Sequence, residues 1–238
     1  MRRQGGEGAE AAMRRILLLL LAFLPLSAAA DDDYALIGVG VRTRPEFDGS
    51  NSRVVDVVPY LRYYGKTLFV RTTQGILEGG ARMNIGQEFY AGAQLAYEAG
   101  PRDGDPGVSL GASLERDVKL GAVPLFFLGR VRKHLDTEHG TQADFRVTMG
   151  IYGKDRVQAG IYGQATWASA QFTQAYYGID EPGLLFTALG FLGSYDLSKT
   201  WSLVGGVDAR WLSSDMMRSP YVERRTGYYA NAGVGYRF

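Results

Sequence analysis

The sequence contains two histidines, and they lie close together in the segment Lys133 to His139. Imidazole and carboxylate groups are ligands that zinc prefers in proteins, so His134, Asp136 and His139 could chelate a metal ion or support a hydrolase of lipid or peptide. A polar outer loop exposed to water explains the same residues without chemistry, and we favour that interpretation. We therefore predict no metal site and no catalytic residue.

Glycine-rich patches such as Gly38-Val39-Gly40 could in principle cradle a phosphate. No helix follows them, so they lack the structural context that a phosphate-binding loop requires. Glycine at such positions is better explained as relief of crowding at tight bends of a strand. We therefore predict no cofactor.

Charged residues of both signs fall on the polar face of the alternating segments described below, which we predict to be the interior of a barrel. In a small barrel the side chains of such residues fill the interior and form ion pairs, and we favour this interpretation. The alternative is a narrow solute channel, which would favour charges of a single sign at a constriction. The predicted interior charges are Asp56, Arg62, Arg71, Glu88, Glu115, Arg130, Arg132, Asp144, Arg146, Asp208 and Arg210.

The N-terminal segment is typical of a secretory signal. From Met13 the chain reads as two arginines followed by the apolar run Ile16 to Leu26, which is about eleven residues long, whereas a transmembrane helix needs roughly 20. Small residues follow, and we predict cleavage after Ala30, with Ala28 and Ala30 as the recognised positions and Asp31 as the mature N-terminus. Residues 1–30 would thus be an N-terminal extension and signal peptide, and residues 31–238 one domain.

The mature chain is nearly neutral and lacks cysteine. Residues 1–30 contain four of the 26 basic and two of the 25 acidic residues. The mature chain therefore has 22 basic and 23 acidic residues. This balance argues against a nucleic-acid partner, which favours a clustered basic surface. The absence of cysteine excludes disulfides and thiolate metal sites.

Apolar and polar residues alternate with a period of two along several segments. The clearest runs from Val157 to Trp167, and similar runs follow Ala143 and Trp201. Each spans about 10 residues, which is the length a tilted strand needs to cross a bilayer. Because no other long apolar run exists and unpaired backbone groups are costly in hydrocarbon, these strands must close into a barrel. A soluble eight-stranded barrel with an apolar interior is the competing structure.

We predict an all-β transmembrane antiparallel up-and-down barrel of about twelve strands, with ten as the alternative. An even number follows if both chain ends lie in the periplasm, and it requires a turn at Gln74-Gly75. The predicted strands are 34–42, 54–64, 66–73, 76–84, 87–97, 107–117, 123–133, 142–152, 156–168, 184–196, 201–212 and 227–238.

The lengths of the connections predict the orientation. Short connections at 118–122, 153–155 and 197–200 should be periplasmic, and the longer ones at 42–53, 98–106, 134–141, 169–183 and 213–226 should be extracellular. Trp167, Trp201 and Trp211 lie at strand ends, where interfacial aromatic girdles form.

The last strand ends in an aromatic residue. Tyr236 and Phe238 close an alternating segment that is typical of the signal read by the barrel-assembly machinery. We therefore expect that machinery and outer-membrane lipids as partners, in the outer membrane of a Gram-negative bacterium.

Several segments, in order along the chain, resemble the MipA/OmpV family of outer-membrane proteins. The resemblance covers essentially the whole mature chain and includes Trp201-Ser202-Leu203, Leu212 to Asp215 and the closing segment Gly233 to Phe238. The other matching positions are Pro45, Gly49 and Ser50 in the first outer loop, Pro59 and Tyr60 in the second strand, Tyr177 and Gly178 in the long outer loop, and Ser219 and Pro220 near the C-terminus.

The resemblance implies a non-enzymatic barrel. Its best-described member is a scaffold for a murein-cleaving lytic transglycosylase and a bifunctional penicillin-binding protein, and others are linked to adhesion or to osmotic and antibiotic response. The family has no catalytic residues to carry over. Contact with murein enzymes would involve short periplasmic turns such as Gly153 to Arg156 and Leu197 to Thr200.

Overall fold

Twelve antiparallel strands close into a barrel in which each strand pairs with its neighbours in the chain and the first pairs with the last. The computed structural model describes residues 35–98, 107–136 and 139–238. The strands are β1 Ala35–Pro45, β2 Arg53–Tyr64, β3 Leu68–Thr73, β4 Ile76–Gly86, β5 Phe89–Glu98, β6 Gly107–Leu120, β7 Val123–His134, β8 Thr141–Lys154, β9 Val157–Ala168, β10 Gly183–Asp196, β11 Trp201–Leu212 and β12 Thr226–Arg237. The prediction of twelve strands is confirmed, and the ten-strand alternative is wrong.

The two faces of the wall differ as a transmembrane barrel requires. Successive side chains of a strand point to opposite faces, so one set lines the lumen and the other faces outward. The lumen set is polar and buried, and includes Arg71, Glu78, Arg130 and Asp144. The outward set is apolar and exposed, and examples are Val39, Val55, Leu114, Phe145, Leu189, Val207 and Val234. No helix in the described part of the chain is long and apolar enough to cross a membrane.

Aromatic residues lie at both ends of the outward face. Trp167 and Trp211 are exposed near the end that carries the long loops. At the other end, Trp201 is paired with Tyr236 in the ladder, and their ring centroids are 5.2 Å apart. Tyr236 also contacts Phe238, with centroids 5.1 Å apart. These residues mark the two interfaces of the apolar band.

Three sequence predictions need correction. The first strand was predicted to end at residue 42, but β1 extends to Pro45, so Arg44 belongs to the wall as well. Glu88 was predicted to line the lumen, but it is exposed in the turn between β4 and β5 with a φ of 61°. The pleat ends before this turn, so alternation no longer determines the side that Glu88 faces.

The third correction concerns the connection at 169–183, which contains a helix, α1 (Ala170–Tyr177). The Ser169 hydroxyl accepts a hydrogen bond from the Phe172 backbone N–H, and Gly178 ends the helix with a φ of 68°. A short 3₁₀ helix, Met216–Arg218, lies in the last long loop. The predicted signal peptide and cleavage site, and part of the 98–106 loop, lie outside the described residues.

The β3–β4 connection is a short turn at the end of the barrel that otherwise carries the long loops. It consists of Gln74 and Gly75, with φ values of 52° and 83°. A side chain at Gly75 would collide with the guanidinium group of Arg42, so this turn packs closely against β1 from inside the barrel. The rule that short turns are periplasmic therefore fails at this position.

Candidate functional site

The lumen next to β3–β8 is filled by a chain of ion pairs centred on Glu78, whose side chain is 0% exposed. Arg71 donates from Nε to Glu78 Oε2 at 2.8 Å and from Nη1 to Glu115 Oε1 at 2.5 Å. Arg130 donates to Glu78 and, from Nη2, to Asp144 Oδ2 at 2.6 Å. Because every charge here has an opposite partner, these residues fill the interior in the way the sequence predicts.

Arg132 extends this network toward the long loops. It donates to Glu98 Oε1 at 2.8 Å, to Gln142 Oε1 at 2.9 Å and to Asp144 Oδ2 at 3.2 Å. Together with residues of the outer loops it lines a vestibule of about 130 Å³ that opens at this end of the barrel. The vestibule is thus bounded by paired charges.

Gln74 crosses the lumen from the β3–β4 turn. Its side chain donates from Nε2 to Tyr162 Oη on β9 at 2.8 Å, and its backbone carbonyl accepts from Arg42 Nη1 at 2.9 Å. The guanidinium group of Arg146 lies over the Tyr162 ring, 3.6 Å from its centroid. We name this connection between Gln74 and Tyr162 the strut.

The outer end of the barrel is covered on one side by the first loop, α1 and the last long loop, which we name the cap (residues 46–52, 169–182 and 213–225). Arg210 of β11 donates to Asp48 Oδ2 at 3.2 Å, and Tyr229 of β12 also donates to Asp48. The Tyr177 hydroxyl donates to the Asp48 carbonyl at 3.4 Å. Asp48 therefore ties the first loop to the wall and to α1.

A small apolar core holds the cap together. It is formed by residues of the cap and of the strands beneath it: Ala168, Phe172, Tyr177, Leu185, Phe186, Ala188, Leu212 and Met216. The buried Ser219 hydroxyl donates to the Tyr177 carbonyl at 2.6 Å and accepts from the Tyr221 backbone N–H at 3.2 Å. The last loop is thereby fixed to α1.

The family-motif positions meet mainly in this cap. Pro45 is the last residue of β1, and the Gly49 carbonyl accepts from the backbone N–H groups of Glu223 and Arg224 at 2.8 and 3.0 Å. Ser50 is buried, and Ser219 and Tyr177 contact each other as described. Gly178 lies near Tyr221, and Pro220 is exposed. Motif residues that are far apart in the sequence thus come together in the cap.

Two motif positions lie elsewhere, in β2. Tyr60 points into the lumen and donates to the Asn231 side chain on β12. Its ring occupies the space that side chains at Gly40 and Gly233 would need. Pro59 precedes it and faces outward.

His134 lines the vestibule, and His139 lies beside it. His134 is buried, and its ring centroid is 6.0 Å from that of His139 and 6.1 Å from that of Phe172. His139 Nδ1 lies 3.1 Å from Asp136. Within the described ranges no group of three His, Cys, Asp or Glu side chains is arranged to hold a metal ion. This geometry gives no support to the chelate hypothesis.

Burial also perturbs the tyrosines of α1, which lies outside the membrane-spanning strands. It raises the pKa of Tyr176 to about 12, with the carboxylates of Glu98 and Asp136 adding to the effect. Burial also raises the pKa of the fully enclosed Tyr177 well above its usual value. Both phenols are therefore neutral at physiological pH.

The opposite end of the barrel has only short turns, which form a narrow rim with an excess of basic side chains. Among the described residues, the exposed charges of these turns and the strand ends beside them are Lys66, Glu88, Lys119, Lys154, Asp155, Arg156 and Lys199. We name this set the periplasmic rim. Its positive charge would attract an acidic protein surface.

Comparison with known proteins identifies the family. Residues 37–238 match the family model described as MltA-interacting protein MipA. The chain belongs to the MipA family. No curated protein sequence matches this member of the MipA family significantly.

Solved structures resemble this MipA-family chain in fold. An outer-membrane channel from Pseudomonas putida F1 aligns with a TM-score of 0.55 and 11% identity, over 90% of this chain and 99% of that one. The NanC porin aligns with a TM-score of 0.54 and 9% identity, over 86% of this chain and 100% of that one. These similarities show the outer-membrane barrel fold.

Sequence reasoning missed Asp48, Gln74, Glu78 and Tyr229 as contributors to the interior and the cap. Glu78 could have been found, because it lies on the same face of β4 as Arg82 in the alternating pattern. The contacts of Gln74 with Tyr162, and of Asp48 with Tyr229, join residues too far apart in the sequence to leave a local signal.

Proposed function

We propose that this chain is a non-enzymatic outer-membrane barrel that brings a lytic transglycosylase of the MltA type together with a bifunctional penicillin-binding protein. The observation that carries this proposal is the family match over residues 37–238, since the family is described by its interaction with MltA. The protein would reach the outer membrane after export and cleavage behind Ala30. Murein enzymes act in the periplasm, so the contact belongs at that end.

The periplasmic rim supports the proposal because it presents basic side chains on a rigid frame. Lys154 and Lys199 are exposed and lie at two of the short turns. The hairpins β8–β9 and β10–β11 are each paired up to these turns, so the turns are held in fixed positions. A partner with an acidic face would bind there in a salt-dependent way.

The test is affinity capture from a native envelope extract. The purified barrel is immobilised through a tag on an extracellular loop, and retained proteins are identified by mass spectrometry. We expect a lytic transglycosylase and a penicillin-binding protein with the wild type. Lys154→Glu combined with Lys199→Glu should remove most of both, because two attractive charges become repulsive.

The matched control reverses two charges at the other end of the barrel. Lys133 and Arg224 are also exposed, and Lys133→Glu with Arg224→Glu should retain both enzymes. Heat-modifiable gel mobility shows that each variant is folded. The scaffold proposal fails if the folded wild-type barrel retains neither enzyme. Equal retention by the two double variants would show that Lys154 and Lys199 do not form the contact.

A narrow solute channel is the second candidate, favoured by the polar lumen and the vestibule of about 130 Å³. Planar-bilayer recordings of purified, folded protein test it directly. Discrete conductance steps would support a channel, and their absence would remove this candidate.

A further inference from the structure

The wall between β2 and β3 is incomplete at its outer end. The two strands pair only at Arg62↔Arg71, Tyr63↔Val70 and Tyr64↔Phe69. Above this ladder β2 continues for nine residues to Arg53, whereas β3 ends after two, at Thr73. Seven residues of β2 therefore extend past the end of β3.

No other junction between described strands shows such an overhang. At the β10–β11 junction, which has the next largest at the outer end, the ladder ends at Phe186↔Leu212 with the last residue of β11, and β10 continues for three residues to Gly183. At the β4–β5 and β8–β9 junctions the ladders run to within one residue of the outer strand ends. We name the gap above the β3–β4 turn the notch.

The exposed edge of β2 is only partly protected. The Leu61 backbone N–H points to this edge and donates to Thr72 Oγ1 at 3.3 Å. Alternation places the backbone groups of Pro59, Val57 and Val55 on the same edge, and Pro59 has no N–H to leave unpaired. Within the described ranges no backbone group pairs with those of Val55 and Val57 on this edge. Such groups would be costly in hydrocarbon, so the notch must admit water or a polar ligand.

Cations lie behind the notch and at its lip. Arg42 and Arg44 both bind one carboxylate, Asp56, with N–O distances of 2.6 and 3.0 Å. Two positive charges thus share one negative charge. Arg53, at the end of the free edge, is exposed and donates to Thr43 Oγ1 at 3.0 Å. This excess positive charge would attract an anionic group.

The outer face of the notch is apolar. Val55 and Val57 point outward and are 75% and 71% exposed, the largest values among the exposed valines. An apolar groove of about 630 Å³ begins at Val55 and crosses the outward face of β1, β12, β11 and β10. Such a surface lies against acyl chains in a membrane.

We propose that the notch binds an anionic membrane lipid. Arg53 meets the phosphate of the lipid on the outward face, and the excess positive charge of Arg42 and Arg44 attracts it from the lumen side of the wall. Its acyl chains pack on Val55 and Val57 and along the apolar groove. This lipid site lies at the outer interface and is separate from the periplasmic rim.

The first test is native mass spectrometry of the refolded barrel released from micelles. Phosphatidylglycerol is the anionic probe and phosphatidylcholine the neutral one. We expect one retained phosphatidylglycerol, and a loss of affinity of about tenfold or more when Arg44→Gln and Arg53→Gln are combined. Arg116→Gln with Lys133→Gln is the control, since it removes the same charge away from the notch and should retain the lipid. Equal retention of the two lipids, equal loss in both variants, or displacement by inorganic phosphate would overturn the proposal.

The second test uses the absence of cysteine in the chain. Val57→Cys places a thiol at the free edge, and Val131→Cys places one on the outward face of β7, which is paired with both of its neighbours and lies outside the groove. In liposomes of phosphatidylcholine, a membrane-impermeant maleimide should label the first thiol several-fold faster. Adding phosphatidylglycerol should slow that labelling and leave the control unchanged. Equal labelling of the two thiols would contradict a notch that is open to water.

Discussion

Gln74 and Tyr162 are joined across the barrel by a hydrogen bond of 2.8 Å from the Gln74 side chain to the Tyr162 hydroxyl. The β3–β4 turn and β9 lie on opposite sides of a twelve-stranded wall. The turn must therefore lean into the lumen to make this contact, which also takes it away from the outer half of β2. One turn thus narrows the lumen and leaves the notch in the wall.

The strut is expected to limit solute passage. Gln74→Asn keeps a residue type that tolerates the left-handed backbone at this position, but its side chain is shorter and cannot reach Tyr162. If the barrel conducts, single-channel conductance in planar bilayers should rise, and Tyr162→Phe should have the same effect. Gln158→Asn, at an exposed position of β9, is the control. A conductance that rises in the control, or in neither strut variant, would contradict this role.

The buried ion-pair chain should contribute strongly to stability. Glu78→Gln leaves Arg71 and Arg130 without their shared carboxylate, and breaking a buried pair costs about 3–5 kcal/mol. We expect a lower urea midpoint for the folded barrel in micelles. Glu88→Gln is the matched control, since Glu88 is exposed in a turn and the change should stay within about 0.5 kcal/mol. Similar midpoints for the two variants would show that the network does not stabilise the barrel.

Ser219 should hold the cap closed. Ser219→Ala removes the donor to the buried Tyr177 carbonyl, at a cost of about 1–3 kcal/mol. The cost applies to the cap and not to the barrel, so trypsin should cleave faster at Arg224 and Arg225 while the urea midpoint is unchanged. Ser214→Ala, at an exposed position of the same loop, should leave the cleavage rate as it is. Faster cleavage in both variants would argue against a specific role of Ser219.

The strands could be predicted because the membrane imposes strict alternation on them. A lipid-facing residue must be apolar and its neighbour in a charged lumen is polar, so the pattern in Val157 to Trp167 predicts the strand. The Gln74-Gly75 turn was predicted only because two chain ends in the periplasm require an even number of strands. Alternation failed at Glu88 because Gln87 and Glu88 adopt positive φ values and end the pleat.

The cap could not be predicted in the same way. α1 is only eight residues long, so its apolar residues give too few repeats for a period of 3.6 to be recognised. Its stability comes from packing of Phe172 and Tyr177 on Leu212 and Met216, which are distant in sequence. The family resemblance identified Tyr177 and Ser219 as positions of interest, and the structure shows that they are in contact.

The stability of the cap should fall at alkaline pH because of Tyr176. Burial raises its pKa from 10.0 to about 12, so between these values the unfolded chain loses the phenolic proton while the folded cap retains it. The stabilisation from the neutral phenol is fully present below pH 10 and is lost as the pH rises toward 12. Thermal unfolding of the cap, followed by near-ultraviolet circular dichroism, should therefore occur at progressively lower temperature across this range.

Tyr176→Phe removes this phenol and should weaken the pH dependence of cap unfolding. The variant retains the ring that packs on Phe172, at a centroid distance of 4.4 Å, so its unfolding temperature below pH 10 should stay close to that of the wild type. Tyr177 has a raised pKa from the same cause and should leave a residual slope. Tyr221→Phe, at an exposed position of the last loop, is the control and should follow the wild-type curve. If Tyr176→Phe also follows the wild-type curve, ionisation of Tyr176 does not govern the alkaline opening of the cap.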